Sequence, residues 1–177
     1  FLLSDSKKES LKKYISLLGD NCPGLDLELA KRIAQASEKY YGSSREDREV
    51  LSRLRVLELR WYKSIEDKKP DYSIYSDDFF LGEIWACYWV YSRKYLRLLS
   101  SFFTDTMHEQ VSVLDLGCGT GITTCILKQL FPKADVYGTN IEETAQFRIA
   151  SKLGTSHGFR IAPKPTSHAD LVFASEY

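Results

Sequence analysis

Apolar residues recur at helical spacing through the first hundred or so positions, and at strand spacing after them. Ser6-Lys7-Lys8-Glu9 has the spacing of a capping box, and Leu11, Tyr14, Ile15 and Leu18 follow on one helix face, with Gly19 as the stop. Beyond the Cys22-Pro23-Gly24 turn, Leu29, Ile33, Ala36 and Tyr40 form a second stripe that ends at Gly42. Ser44-Arg45-Glu46-Asp47 opens a longer amphipathic run with Val50, Leu54, Leu57, Trp61 and Ile65 along one side. Residues 66–76 read as a loop broken by Pro70. From Asp77 to Phe103 the pattern is helical again, but apolar nearly all round, as in a helix buried between other elements. Its aromatic residues read first as core, with Trp85, Tyr88 and Trp89 as minority candidates for lining a ligand cleft.

At residue 111 the period changes. Val111–Leu116 is a β-rich run that leads into a glycine-rich turn and a helix from about Ile122 to Phe131. Ala134–Thr139 predicts a second strand, and Glu142 to Leu153 a second helix ending at Gly154. Phe159-Arg160-Ile161 is a short third strand and Asp170–Ala174 a clearer fourth. Strands alternating with helices imply a parallel sheet with right-handed crossovers. The expected organisation is therefore an α-helical module over 1–104, followed by an α/β, Rossmann-like, mostly parallel domain over 105–177.

Charge narrows the class of partner. The chain has 24 basic and 24 acidic side chains in 177 residues, and residues 111–177 carry 6 of each. Neither part is a basic arm, which weighs against a large electrostatic footprint for nucleic acid or an acidic membrane. No run of apolar residues is long enough to span a bilayer. Cys22, Cys87, Cys118 and Cys125 form no CxxC pair and have no ligand-like His spacing, so reduced thiols in a cytoplasmic protein are expected, and no metal. His108, His157 and His168 fall in predicted loops without partner spacing. The chain starts at Phe1 and stops at Tyr177 just after a predicted strand, which suggests a fragment of a longer protein.

The chemistry is concentrated in Val113-Leu114-Asp115-Leu116-Gly117-Cys118-Gly119-Thr120-Gly121. A strand feeds a turn in which three alternate glycines let a ligand approach the backbone, and a helix N-terminus with unpaired N–H groups follows. The spacing is GxGxG, not the GxGxxG of nicotinamide dinucleotide sites, and Asp115 stands two positions before the first glycine. A carboxylate beside the turn repels a pyrophosphate and attracts an ammonium or sulfonium group.

As it stands here, Asp115-Leu-Gly-Cys-Gly-Thr-Gly121 resembles motif I of the class I, Rossmann-like S-adenosylmethionine-dependent methyltransferases, and the resemblance extends over residues 111–177. It implies the first half of that fold, with S-adenosyl-L-methionine as cofactor. Asp115, Gly117, Cys118, Gly119, Thr120 and Gly121 would lie along its methionine portion, and Asn140 and Ile141 at the ribose and adenine edge. The family usually has an acidic residue where this chain has Asn140, and Glu142 or Glu143 could compensate or could simply be first-turn acids of the next helix. Ala162 and Pro163 would pack on the adenine face. By the same resemblance, Ser175, Glu176 and Tyr177 at the end of the fourth strand are the candidates for the catalytic, methyl-facing position. They lack the Pro-Pro of amino-directed DNA methyltransferases.

The implied activity is in-line methyl transfer, which need not use a catalytic base. The acceptor is unidentified. A small molecule is slightly favoured, RNA or DNA is an alternative, and no membrane partner is expected. A rival reading is a non-catalytic methyltransferase-like module that binds a partner through its helices. A nicotinamide oxidoreductase is disfavoured by Asp115 and by the glycine spacing. Oligomeric state is not written in the sequence.

Overall fold

The computed structural model describes residues 3–19, 22–39, 45–166 and 168–174. It divides into two compact units, Phe1–Trp89 and Val90–Tyr177, with the division falling inside one helix.

The first unit is helical. Helix α1 (Asp5–Leu18) buries Leu11, Tyr14 and Leu18, and Gly19 ends it at φ 51°. Its N-cap is Ser4, whose side chain makes no capping bond, so the helix starts before the capping box expected at Ser6. Helix α2 (Leu27–Lys39) is capped by Asp26, whose Oδ1 accepts from the Leu29 amide at 2.7 Å. Ala30, Ile33, Ala34 and Ala36 of α2 are buried. Tyr40 and Gly42, read as the end of this helix, lie outside the described residues.

Helix α3 (Arg45–Glu66) turns Val50, Leu54 and Leu57 inward, while Ile65, read on the same stripe, is exposed. The predicted loop contains a 3-10 turn, Tyr72–Ser76, which starts where Asp71 accepts from the Ser73 amide. Trp61 meets Tyr72 and Tyr75 at ring-centroid distances of 5.8 Å, and Ile74 is buried.

Helix α4 (Asp78–Phe102) continues the chain. Within the first unit its Leu81 carbonyl accepts from the Tyr14 hydroxyl at 3.0 Å, and Gly82 sits so close to Ile33 that an added Cβ would lie 2.6 Å from Ile33 Cδ1. Trp85 is buried and Tyr88 half-buried, and the Trp89 side chain lies outside what is described.

The second unit holds four parallel strands, β1 (Ser112–Leu116), β2 (Asp135–Thr139), β3 (Arg160–Ala162) and β4 (Leu171–Ala174), in the order β3-β2-β1-β4. Helix α5 (Ile122–Leu130) joins β1 to β2, and α6 (Ala145–His157) joins β2 to β3. This is the α/β, Rossmann-like arrangement that the alternating pattern predicts. Beginning at β1, the chain steps outward to β2 and β3 and then returns to the other side for β4. That reversal places a crevice at the carboxyl ends of β1 and its neighbours. Phe103, Phe131 and Phe173 pack together, with Phe103 5.7 Å from Phe131 and 5.9 Å from Phe173 between ring centroids.

Two boundaries differ from the sequence pattern. Glu142 and Glu143 precede α6 and do not open it, because Thr144 is the N-cap and its Oγ1 accepts from the Phe147 amide. The same helix runs through Gly154 and stops at Gly158, whose φ of 76° no ordinary residue adopts easily. Gly154 has a packing role, since a Cβ there would stand 2.6 Å from the Phe159 carbonyl oxygen.

Candidate functional site

β1 and β2 together position the site. Asp115 is paired across the sheet with Gly138 of β2 on one side and Phe173 of β4 on the other, and is 0% exposed. Thr124, in the first turn of α5, donates its hydroxyl to Asp115 Oδ2 at 2.6 Å. Asp115 Oδ1 is buried without a hydrogen-bond partner. Burial pushes this carboxyl up to about 6 from its ordinary 3.8, against the opposing pull of the Thr124 bond. A buried carboxylate oxygen without a partner calls for an explanation, and a cationic ligand group would satisfy it.

The turn itself departs from ordinary backbone at all three glycines, with φ 72° at Gly117, 55° at Gly119 and 87° at Gly121. An added Cβ at Gly117 or Gly119 would meet nothing within 4 Å. The space above these two residues is therefore open. Gly121 is different, because its Cβ would lie 3.2 Å from Ala150 of α6. One end of the turn faces open space and the other is packed.

The end of β2 fastens the turn from the side. The Gly117 amide donates to Thr139 Oγ1 at 3.2 Å, and the Cys118 amide to the Thr139 carbonyl at 2.9 Å. Asn140 Nδ2 donates to the Gly119 carbonyl at 2.5 Å, while Asn140 Oδ1 accepts from the Ile141 amide at 2.8 Å. The Asn140 amide donates to the Ala162 carbonyl at 3.1 Å, tying β2 to β3 at the same level. Cys118 is buried against Gly138, where a Cβ would come within 2.7 Å of the Cys118 sulfur. Burial and the Asp115 charge push its thiol up to about 12, so it is a packing group and carries no thiolate at neutral pH.

The structure thus brings Asp115, Gly117, Cys118, Gly119, Thr120, Gly121, Asn140 and Ile141 to one end of the sheet. Thr120 is buried, and Ile141 is 55% exposed beside the turn, an apolar side chain held in solvent. Its carbonyl accepts from the Thr144 hydroxyl at 2.7 Å, which fixes the loop that presents it. Glu143 adopts a φ of 67° in that loop. Ser175, Glu176 and Tyr177 lie outside the described residues. Sequence reasoning missed Thr124 and Thr139. Only the position of Thr139, directly before Asn140 at a strand end, carried a signal.

The residues fit the methionine end of an S-adenosyl cofactor on two counts: the buried unpartnered oxygen of Asp115 and the open space over Gly117 and Gly119. A pyrophosphate would stand over a partly ionised carboxylate.

Comparison with known proteins agrees with this geometry. Residues 83–160 match the model of the methyltransferase small domain family. No curated protein and no solved structure gives a significant match. The matched residues run from within α4 through the glycine turn to the start of β3, and over that stretch the chain is similar to the methyltransferase small domain.

Proposed function

We propose that this chain binds S-adenosyl-L-methionine through Asp115 and the 117–121 turn and transfers its methyl group to a small-molecule acceptor. The observation that supports it most directly is the buried Asp115 carboxylate, with Oδ1 unpartnered beneath a glycine turn that opens to solvent. Asp115 would pair with the ammonium of the methionine portion, Gly117 and Gly119 would allow its close approach, and Ile141 would cover the apolar edge of the nucleoside. When bound, the cofactor supplies a methyl group on a sulfonium, a good leaving group in a displacement by the acceptor's lone pair. The protein's part is to align acceptor and methyl and to exclude water. The even charge balance supports a small acceptor over a nucleic acid, and the four free thiols support a cytoplasmic setting. Among the described residues no helix is long and apolar enough to cross a membrane.

Calorimetric titration with S-adenosylhomocysteine, with NAD as control, tests the cofactor assignment. Saturable binding that Asp115→Ala and Gly119→Arg both abolish is the expected result. Absence of binding to folded protein would overturn it and favour the non-catalytic reading, in which the helices carry the function. NAD binding in its place would favour the oxidoreductase.

A further inference from the structure

Asn140 stands at the end of β2, where the resemblance would place a carboxylate toward the ribose, yet both polar atoms of its side chain are engaged within the chain. The Ile141 amide can only donate, so the oxygen of the Asn140 side chain must face it, and the NH2 group is left facing the Gly119 carbonyl. The orientation is therefore dictated by two neighbours of opposite character. A carboxylate in the same place would satisfy Ile141 but set an anionic oxygen against the Gly119 carbonyl, at a separation now of 2.5 Å.

Gly119 is the central residue of the turn, in the left-handed region with open space over its Cα. Its neighbours are already held, Gly117 and Cys118 by Thr139 through their amides. The Gly119 carbonyl accepts from Asn140 Nδ2 at 2.5 Å and, more weakly, from the Cys118 thiol at 3.9 Å; the Asn140 bond ties to β2 the peptide that follows Gly119, whose N–H belongs to Thr120 and points the opposite way from the carbonyl. Holding the Gly119 carbonyl toward β2 therefore turns the Thr120 N–H away from β2.

We propose that Asn140 is a positioning residue for the cofactor, acting through Gly119, and that an amide at this position, not a carboxylate, is what cofactor binding requires. This rests on the S-adenosylmethionine reading above and adds to it an explanation for the missing acid. Asn140 is there to fasten the turn, and it is not a weakened ribose ligand.

The test is calorimetric titration of the 177-residue chain, and of its Asn140→Asp and Asn140→Ala variants, with S-adenosylhomocysteine and with its 2′,3′-dideoxy analogue, after circular dichroism has established folding. Asn140→Asp is expected to weaken binding by roughly tenfold or more, beyond the loss in Asn140→Ala, because it replaces a donor with a repulsive acceptor. Asn140→Ala is expected to lose the same factor for both ligands. If the unsubstituted chain binds neither ligand, the cofactor reading and this proposal fall together. If it binds and Asn140→Asp binds equally well or more tightly, the proposal alone is overturned. Should Asn140→Asp not fold, Asn140→Ala decides. A loss seen with S-adenosylhomocysteine but absent with the dideoxy analogue would make Asn140 a ribose ligand and overturn the proposal.

Discussion

Thr124 donates its hydroxyl to one oxygen of Asp115 and leaves the other, fully buried, without a partner. A single neutral hydrogen bond does not compensate the burial of a carboxylate, so the folded state disfavours its charge. The carboxyl is pushed up to about 6 as a result.

The sign of the pH dependence follows. A carboxyl raised from 3.8 to about 6 on folding makes its own contribution to stability largest below 3.8, where it is protonated in both states. That stability is lost as pH rises toward about 6, to a total on the order of 3 kcal/mol, and then levels off. Urea unfolding of the ligand-free chain at several pH values should show this fall, and Asp115→Asn should remove it. If the proposed pairing of the ligand ammonium with ionised Asp115 holds, affinity for S-adenosylhomocysteine should move in the opposite direction across the same window.

Thr124→Val removes the bond that favours the charged form. The Asp115 carboxyl should then titrate at still higher pH, and the chain should lose about 1–3 kcal/mol near neutrality. Thr124→Ser, which keeps the hydroxyl, should restore both. An unchanged titration in Thr124→Val would show that burial alone sets the carboxyl.

The glycines of the turn should differ in cost. Gly117→Ala places a methyl group in open space at φ 72°, so it meets only the backbone penalty of about 1–2 kcal/mol. Gly121→Ala adds to that penalty a contact of 3.2 Å with Ala150, and should lower the thermal midpoint further. Equal losses would mean that α6 yields to the added methyl.

Two thiols offer a chemical probe. Cys87 and Cys118 are held at about 12, by burial and then by the neighbouring Glu83 and Asp115 charges respectively. Burial and the Asp78 hydrogen bond push Cys22 up as well. At about pH 8 these cysteines should react with an aromatic disulfide reagent far more slowly in the folded chain than in urea, where thiols titrate near 8.5. Rapid labelling of Cys118 in native protein, read by peptide mass mapping, would show that the turn opens.

Much of this was legible in the sequence. The change of period at residue 111, the strands at 112–116 and 135–139 and the Asp115-to-Gly121 motif all carry local signals, and they fold as their patterns predict. What escaped is tertiary. Thr124 reaches Asp115 only because α5 folds back on β1, and Thr139 reaches Gly117 only because β2 lies beside it. Neither spacing has a period that a chain could display. Gly154 misleads for a related reason, because glycine at a helix end and glycine at a close contact look alike until Phe159 is placed against it. Glu142 and Glu143 read as first-turn acids, yet Thr144 competes better for the N-cap because its hydroxyl reaches the Phe147 amide.

The fastening of the 117–121 turn along β2 has a kinetic meaning. A phosphate-gripping loop commonly takes its final form around the anion, so that capture includes an ordering step. Here Thr139 and Asn140 fix the turn as soon as β1 and β2 pair, before any ligand arrives. Nucleation of the sheet and shaping of the receptor become one event. Encounter should then proceed as a single bimolecular step, with a rate linear in ligand concentration and no saturating phase in stopped flow.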